Sequence, residues 1–581
     1  MASAAGGFTI CVGYQPVSDP KPIVVADIEV YHGYFLAAFK RLSDGKVVAV
    51  EMSDRTPRED DDQKRARVRS ILKNHRVVTF NGMNFDMPLL WYFVFGADNR
   101  DLKRASDMII NTRIRYWEVE NALGIKIPRE IDHVDLIEPQ PNPFASLKTL
   151  NGRLHGRKMQ DLPIEPDARL TFDDMDTLTA YCGNDLDATE LLYYSILDAL
   201  EMREAFSADY KVDFRSKSDS QMGEAMIKRR VEQALGERVQ KVATPAGTMF
   251  KYQVPDYISF SHPELVAMVD RLRETDFYVQ GNGKVDLPDW LEGKTITIGG
   301  STYAMGIGGL HSTESNRAVH SDDDNVLIDF DVASYYPAII LNSGLYPRAT
   351  GRHFLDVYRS IRDERVAAKR AGDKTKDKGL KIAINGTFGK LGSPYSVLYA
   401  PHLMIAVTLT GQLALLMLID RAEAAGIPVV SANTDGVVFL SPREHAALPI
   451  EKDRPTGEGL LRDIVEQWER DTGFALEATE YASLYNQSVN SYIAVKPNGK
   501  VKIKGPLSTP RHEGDMRGQL MKNPQMEIVS LAVVALITKG IPLEEAAREA
   551  LMDIGYVDRP PVIKPLRVFK HSAVLWWAVA A

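Results

Sequence analysis

Asp331-Val332-Ala333-Ser334-Tyr335-Tyr336-Pro337, then Lys381-Ile382-Ala383-Ile384-Asn385-Gly386-Thr387-Phe388-Gly389, then Thr434-Asp435-Gly436: these three stretches, in this order, decide how the chain is read. Ile328 to Asp331 reads as a strand that carries Asp331 out to its end. Asp435 lies within Val429 to Phe439, where two apolar runs flank a short polar stretch. That pattern reads as a β-hairpin with the acid at its turn. A lone Asp in a hairpin turn is ordinarily a turn-former. Two carboxylates from adjacent strands can do more, because together they can bridge two Mg²⁺ ions. One ion activates a hydroxyl nucleophile and the other binds a triphosphate and its leaving group. Between the first two stretches lie Arg359, Arg362, Arg365, Lys369, Arg370, Lys374, Lys376 and Lys378, with fewer acids. Arg365 and Lys369 are four apart, so one helix face can present both to phosphate; a solvated basic helix would have the same pattern.

A second acidic set lies upstream. Asp27 and Glu29 are two apart on a predicted strand and point to one face. Asp86 ends the segment Asn81 to Asp86. Tyr181 and Asp185 are four apart on a predicted helix and also share a face. Singly, each acid reads as surface charge or a cap. As a set they offer the hard oxygen ligands that two Mg²⁺ ions about 4 Å apart require for phosphodiester hydrolysis. Asp187 is a nearby alternative to Asp185; the Tyr181 spacing favours Asp185.

The three opening stretches resemble motifs A, B and C of family B DNA polymerases, and the upstream acids resemble that family's 3′→5′ proofreading exonuclease. Asp27-Ile28-Glu29 matches its D-x-E, Asn81 to Asp86 its N-x-x-x-F-D, and Tyr181 to Asp185 its Y-x-x-x-D. The resemblance implies that Asp27, Glu29, Asp86 and Asp185 hold metals and that Tyr181 orients the attacking water. Ser146 to Leu150 resembles the element that meets the frayed strand. Downstream, the resemblance implies that Asp331 and Asp435 are the metal ligands of synthesis, and that Tyr336 is the steric gate against a ribose. Arg365, Lys369 and Lys381 would meet the triphosphate, and Asn385 to Phe388 would pack on the nascent base pair. The chain departs from the family pattern at Tyr335 (Leu), Gly386 (Ser), Phe388 (Tyr), Ser431 (Tyr), Asn433 (the first Asp of motif C) and Gly436 (Ser). Gly306 to Gly309 stands where the family has Y-x-G-G. Ser491-Tyr492 stands at its K-x-Y, and Lys504-Gly505 loosely matches its lysine before the thumb.

At 581 residues, 44% hydrophobic and 25% charged, the composition is that of a soluble multidomain protein. The net charge of −8 does not by itself mark a nucleic-acid binder, although a carboxylate-based nuclease or polymerase can be acidic overall. Cys11 and Cys182 make no disulfide framework, so the expected compartment is reducing: the cytoplasm, or a host's if the chain is viral. The N-terminus lacks a signal-peptide pattern, and Ile528 to Ile537 is too short to span a bilayer, so no membrane is expected.

Strands joined by hairpins are expected over 23–50, a solvated loop or helix face over 54–70, and a short strand at Val77 to Phe80. Helices are expected from Asp173 to Leu200, over 353–371 and from Leu403 to Ala425, with loops and short strands over 236–300. The fold class is then α+β multidomain: an RNase H-like exonuclease domain followed by a right-hand polymerase with palm, short fingers and small thumb. The expected boundaries are 1–205 for the exonuclease, 206–300 for a connecting region, 301–350 and 386–505 for the palm, 351–385 for the fingers and 506–581 for the thumb. The expected partners are primer–template DNA, single-stranded DNA in the exonuclease site and dNTPs, with two Mg²⁺ per site and Mn²⁺ able to substitute. No clamp, helicase or single-strand-binding motif is legible. The short motif spacing suits a compact polymerase of a bacteriophage or other mobile element. The alternative is a 3′→5′ exonuclease whose polymerase module has decayed into a DNA-binding platform.

Overall fold

The computed structural model describes residues 21–57, 60–112, 114, 116–128, 130–446, 448–508, 516–521 and 527–553, with two short strands at 562–563 and 579–580. Cys11 and most of the apolar end from Ala573 lie outside the described residues. The chain is a mixed α+β protein of two compact units. The first draws on residues up to Asp219 with 510–525 and 560–581, and the second on 220–509 with 526–559.

The first unit is built on a five-stranded sheet. In order across the sheet the strands are Val47–Ser53, Tyr34–Arg41, Ile23–Tyr31, Arg76–Thr79 and His133–Asp135. The first three pair antiparallel, and the last two join parallel. Strand Ile23–Tyr31 is central and buried on both faces, which is why it is rich in Val and Ile. Val24, Ala26, Ile28 and Val30 enter one core beneath the helices Asp61–Asn74, Asp86–Val94 and Asn99–Thr112. Val25 and Tyr31 enter the other, against helix Phe172–Ser195. That helix starts at a capping box in which the Thr171 side chain accepts from Asp174 N and the Asp174 carboxylate accepts from Thr171 N. Met175, Leu178, Cys182, Leu186 and Leu192 then line its buried side. A short segment, Met516–Met521, packs in this unit through Leu520, whose carbonyl accepts from Arg153 at 2.5 Å.

The second unit holds a seven-stranded antiparallel sheet. Its order is Leu476–Tyr481, Asn325–Val332, Gly436–Pro442, Val429–Asn433, His311–Ser312, Ser301–Ala304 and Thr295–Ile298. A four-stranded sheet of Ser315–His320, Ser483–Ser488, Ser491–Val495 and Val501–Lys504 adjoins it. Helix Pro401–Ala424 is long and apolar enough to cross a bilayer, yet 89% of its apolar window is buried within the protein, where Trp468 Nε1 donates to the Ala414 carbonyl at 2.7 Å. Helices His353–Ala371 and Lys374–Leu391 form a hairpin. Gly372, at φ 73°, ends the first, and the Asp373 side chain caps the second by accepting from Lys376 N.

The expected helices over 353–371 and 403–425 are present, the latter as Pro401–Ala424. The stretch expected as a helix over Asp173–Leu200 is divided at Ile196 into Phe172–Ser195 and Leu197–Tyr210. The charged stretch after residue 54 contains helix Asp61–Asn74, which buries only Val68 and Leu72. Within 236–300, expected as loops and strands, there is also a helix, Pro263–Glu274. Its Leu265, Met268, Val269 and Leu272 are buried at helical spacing, a signal that the surrounding Gly, Pro and Thr outweighed.

Candidate active sites

In the first unit Asp27, Glu29, Asp86, Asp185 and Tyr181 come together. Asp27 and Glu29 project from the central strand toward helix Phe172–Ser195. The Cys182 thiol donates to Asp27 Oδ2 at 3.4 Å, and ligand atoms of Asp27, Glu29 and Cys182 lie within 4.8 Å of one another. Asp86 is buried at the start of helix Asp86–Val94. Asp187 is apart from the set, paired with Lys40 at 2.6 Å and largely exposed.

The electrostatics are those of crowded acids. Burial, then the neighbouring Asp185 charge, pushes the Asp27 carboxyl up to about 7. Burial raises Glu29 as well, followed by repulsion from Asp27, Asp185 and Asp86. Asp86 is raised by burial and then by Asp27 and Asp135. Burial raises Asp185, against a hydrogen bond from Tyr181. Lys148 opposes this: its Nζ sits 5.4 Å over the Tyr181 ring, and its charge lowers Glu29 and Asp185. Lys148 is on helix Leu147–Arg153, which the Ser146 side chain caps by accepting from Thr149 N. Four hard carboxylates with one lysine fit a divalent-cation site, because added positive charge relieves both the repulsion and the desolvation.

Asp135 gives no sequence signal and holds this site together. Its Oδ1 accepts from Asn81 N at 2.8 Å and Ile137 N at 3.1 Å, and its Oδ2 accepts from Met83 N at 2.9 Å. These bonds fix the turn, with Asn81 at φ 63°, that leads into Asp86. Replacing Asp135 by Ala should destabilise this unit by about 3 kcal/mol, since orphaned buried N–H groups cost ~1–3 kcal/mol each. Denaturant unfolding measures that loss.

In the second unit Asp331 and Asp435 face one cleft. Asp331 is cross-paired with Gly436, and Val332 N donates to the Asp435 carbonyl at 2.7 Å. Asp435 occupies the turn between Val429–Asn433 and Gly436–Pro442, as the hairpin reading expected. Thr434 takes φ 42° there, with its N–H bonded to the Leu310 carbonyl. Gly436 has a reason: a Cβ built on it would come 2.4 Å from Asp331 Oδ1. The cleft, about 180 Å³, is also lined by Asp329, Asn433, Tyr481, Tyr492, Lys502 and Lys504. Desolvation and then Asp329 push Asp331 up to about 7, with Lys502 opposing. Desolvation also raises Asp435, opposed first by Lys504. Asn433 lines the cleft as well, but its amide is put to structural use, with Nδ2 donating to Asn490 Oδ1 at 3.1 Å. Three acids converging on one cleft again fit a cation site, in which Asp331 and Asp435 would be ligands. Asp329, two residues before Asp331 on the same strand, is a site residue that the motifs do not mark; period-two alternation alone puts it on the same face.

The Tyr336 ring lies 4.3 Å from that of Phe388, and its hydroxyl donates to the Gly308 carbonyl at 3.2 Å. The glycine turn at 306–309 is thus tied to Tyr336, and Gln412 clamps Gly306 through its N–H and carbonyl. Lys381, Asn385 and Phe388 follow one another at helical spacing on Lys374–Leu391, with Lys381 and Asn385 exposed. Arg365 is engaged, its Nε donating to Asp377 Oδ1 at 3.1 Å across the helical hairpin. Lys369, four residues on, is exposed.

No protein-family model matches the chain. Three curated relatives are all named DNA polymerase 1. That of Saccharolobus solfataricus is 22% identical over 204 residues, covering 34% of this chain and 22% of the relative. That of Sulfurisphaera ohwakuensis is 26% identical over 137 residues, and that of Sulfolobus acidocaldarius 27% over 135, each covering 23% of this chain and 14% of the relative. The matches therefore span less than a quarter of each relative's own length. Among solved structures, the family B DNA polymerase of Pyrobaculum calidifontis aligns with a TM-score of 0.42 and 15% identity, covering 94% of this chain and 66% of that one. In sequence, the chain is similar over about a third of its length to a protein named DNA polymerase 1.

Proposed function

We propose that this protein is a template-directed DNA polymerase of the family B type, with a 3′→5′ exonuclease in the same chain. The observation that carries the reading is the convergence of Asp331 and Asp435, from directly paired strands, on one cleft, with Tyr336 near enough to feel the Asp435 charge and packed on Phe388 of helix Lys374–Leu391. The local sequence similarity to DNA polymerases supports it.

Asp331 and Asp435 would hold Mg²⁺, which supplies activation of the primer hydroxyl and neutralisation of the triphosphate charge. The chain's own residues position the reactants. Lys381 and Lys369 offer exposed ammonium groups to the triphosphate, and Arg365 stiffens the helical hairpin through Asp377 while adding its charge. Tyr336, braced by Phe388 and Gly308, forms the surface under the incoming sugar. In the other unit Asp27, Glu29, Asp86 and Asp185 would hold Mg²⁺ for hydrolysis of a frayed primer end, with Tyr181 orienting water and Lys148 meeting the phosphate backbone. Catalysis at both sites is positioning and charge stabilisation.

Lys381→Ala should raise the KM for dNTP about tenfold to a hundredfold, the worth of a charge-assisted phosphate contact. Single-nucleotide incorporation kinetics measure this, and an unchanged KM would remove Lys381 from triphosphate binding. The reading as a whole is tested by incubating a labelled primer–template with Mg²⁺, with and without dNTPs. Extension with dNTPs and shortening without them is expected. Shortening under both conditions would favour the decayed-polymerase alternative, to which the structural use of Asn433 lends some support.

A further inference from the structure

The polymerisation cleft contains an acid and a cation that the mechanism above leaves idle. Asp329 shares a strand face with Asp331 and is only 7% exposed. Its Oδ2 accepts from the Tyr481 hydroxyl at 2.7 Å and from Lys502 Nζ at 3.4 Å. Lys502 Nζ also donates to the Tyr481 hydroxyl at 3.2 Å and lies 3.9 Å from Asp331 Oδ2. The rings of Tyr481 and Tyr492 flank the ammonium, each centroid 5.9 Å away. The ammonium is thus held at a defined place, closer to Asp329 than to Asp331.

We propose that Lys502 is a positioning residue whose ammonium, held back by Asp329 and Tyr481, sets how readily Asp331 and Asp435 take up a divalent cation. The inference rests on the reading of this cleft as the polymerisation site. With Asp329 present, the Lys502 charge is largely offset before it reaches Asp331. Without Asp329, the nearest carboxylate to Lys502 is Asp331, and an ion pair there would occupy a ligand oxygen and place positive charge where the metal must sit. Without Lys502, the cleft keeps its acids and loses its competing cation. The two substitutions should therefore move cation affinity in opposite directions. A pair that served only to hold the fold together would, on losing either member, loosen the cleft and weaken binding in both cases.

The test measures Mn²⁺ binding by the electron paramagnetic resonance signal of the free ion. It uses the full chain carrying Asp27→Ala and Glu29→Ala, so that the other acidic cluster contributes little. Lys502→Gln should tighten Mn²⁺ binding about tenfold and Asp329→Asn should weaken it about tenfold, as expected for one unit charge about 4 Å from a ligand in a partly solvated cleft. The double variant Asp329→Asn/Lys502→Gln, which removes both charges, should return to within about threefold of the parent and guards against a misfolded single variant. Shifts of the same sign in both single variants, or no shift in either, would overturn the proposal. If Asp331→Ala leaves Mn²⁺ binding by the parent unchanged, the cleft is not a cation site, and the underlying reading falls with the proposal.

Discussion

Under the proposed function, Asp435→Ala is expected to abolish primer extension while the same protein still shortens a single-stranded primer at the parent rate. The expected loss in extension is on the order of 10³-fold or more, because a metal ligand at a reacting phosphate supplies several kcal/mol of charge stabilisation and each 1.36 kcal/mol is a factor of ten. Misfolding does not account for such a loss. The hairpin is held by backbone bonds, with Val332 N on the Asp435 carbonyl and Thr434 N on the Leu310 carbonyl. Alanine keeps all of these. Removing the acid also removes a neighbour that raises Asp331, so the vacated cleft is less strained than before. Gel analysis of dNTP incorporation beside primer shortening reads both activities, and retained extension would refute the assignment of Asp435.

Asp27→Ala should do the reverse, abolishing primer shortening by a similar factor and sparing extension. Asp27, on the central strand, accepts from the Cys182 thiol of helix Phe172–Ser195 and interacts by charge with Glu29, Asp86 and Asp185, so its loss takes ligand oxygens out of the acidic set. Unchanged exonuclease activity would end that half of the assignment. The same position predicts a stability effect. The folded-state carboxyl is raised from 3.8 to about 7, so its ionisation opposes folding: stability is lost as pH rises from about 4 through about 7. Asp27→Asn removes this cost. In the presence of a chelator, the variant should therefore melt higher than the parent at about pH 8, and the difference should vanish below about pH 4. A thermal-unfolding series across that range measures it.

Much of this is legible in the sequence because the decisive residues carry local signals. The Val and Ile run around Asp27 and Glu29 specifies a buried strand, and its period of two puts both acids on one face. The apolar runs around Asp435 specify a hairpin, and the basic run before Lys381 specifies an exposed helix. What is not legible depends on contacts distant in sequence. Asp135 matters because three N–H groups from residues 81, 83 and 137 converge on it, and no pattern near His133 announces that. Lys502 matters because the Val501–Lys504 strand brings it to Asp329, 173 residues earlier. Gly436 reads as a lost serine in the sequence; the close approach of Asp331 Oδ1 supplies its reason.

The most direct test of the central claim is a labelled primer with a 3′-terminal mismatch, annealed to its template and incubated with Mg²⁺ and all four dNTPs. Removal of the mismatched nucleotide is expected, followed by full extension with the correct base at that position. Asp27→Ala should stall at or extend from the mismatch, and Asp435→Ala should only shorten the primer. Progressive shortening by the unmodified protein, with no extension at any dNTP concentration, would contradict the claim.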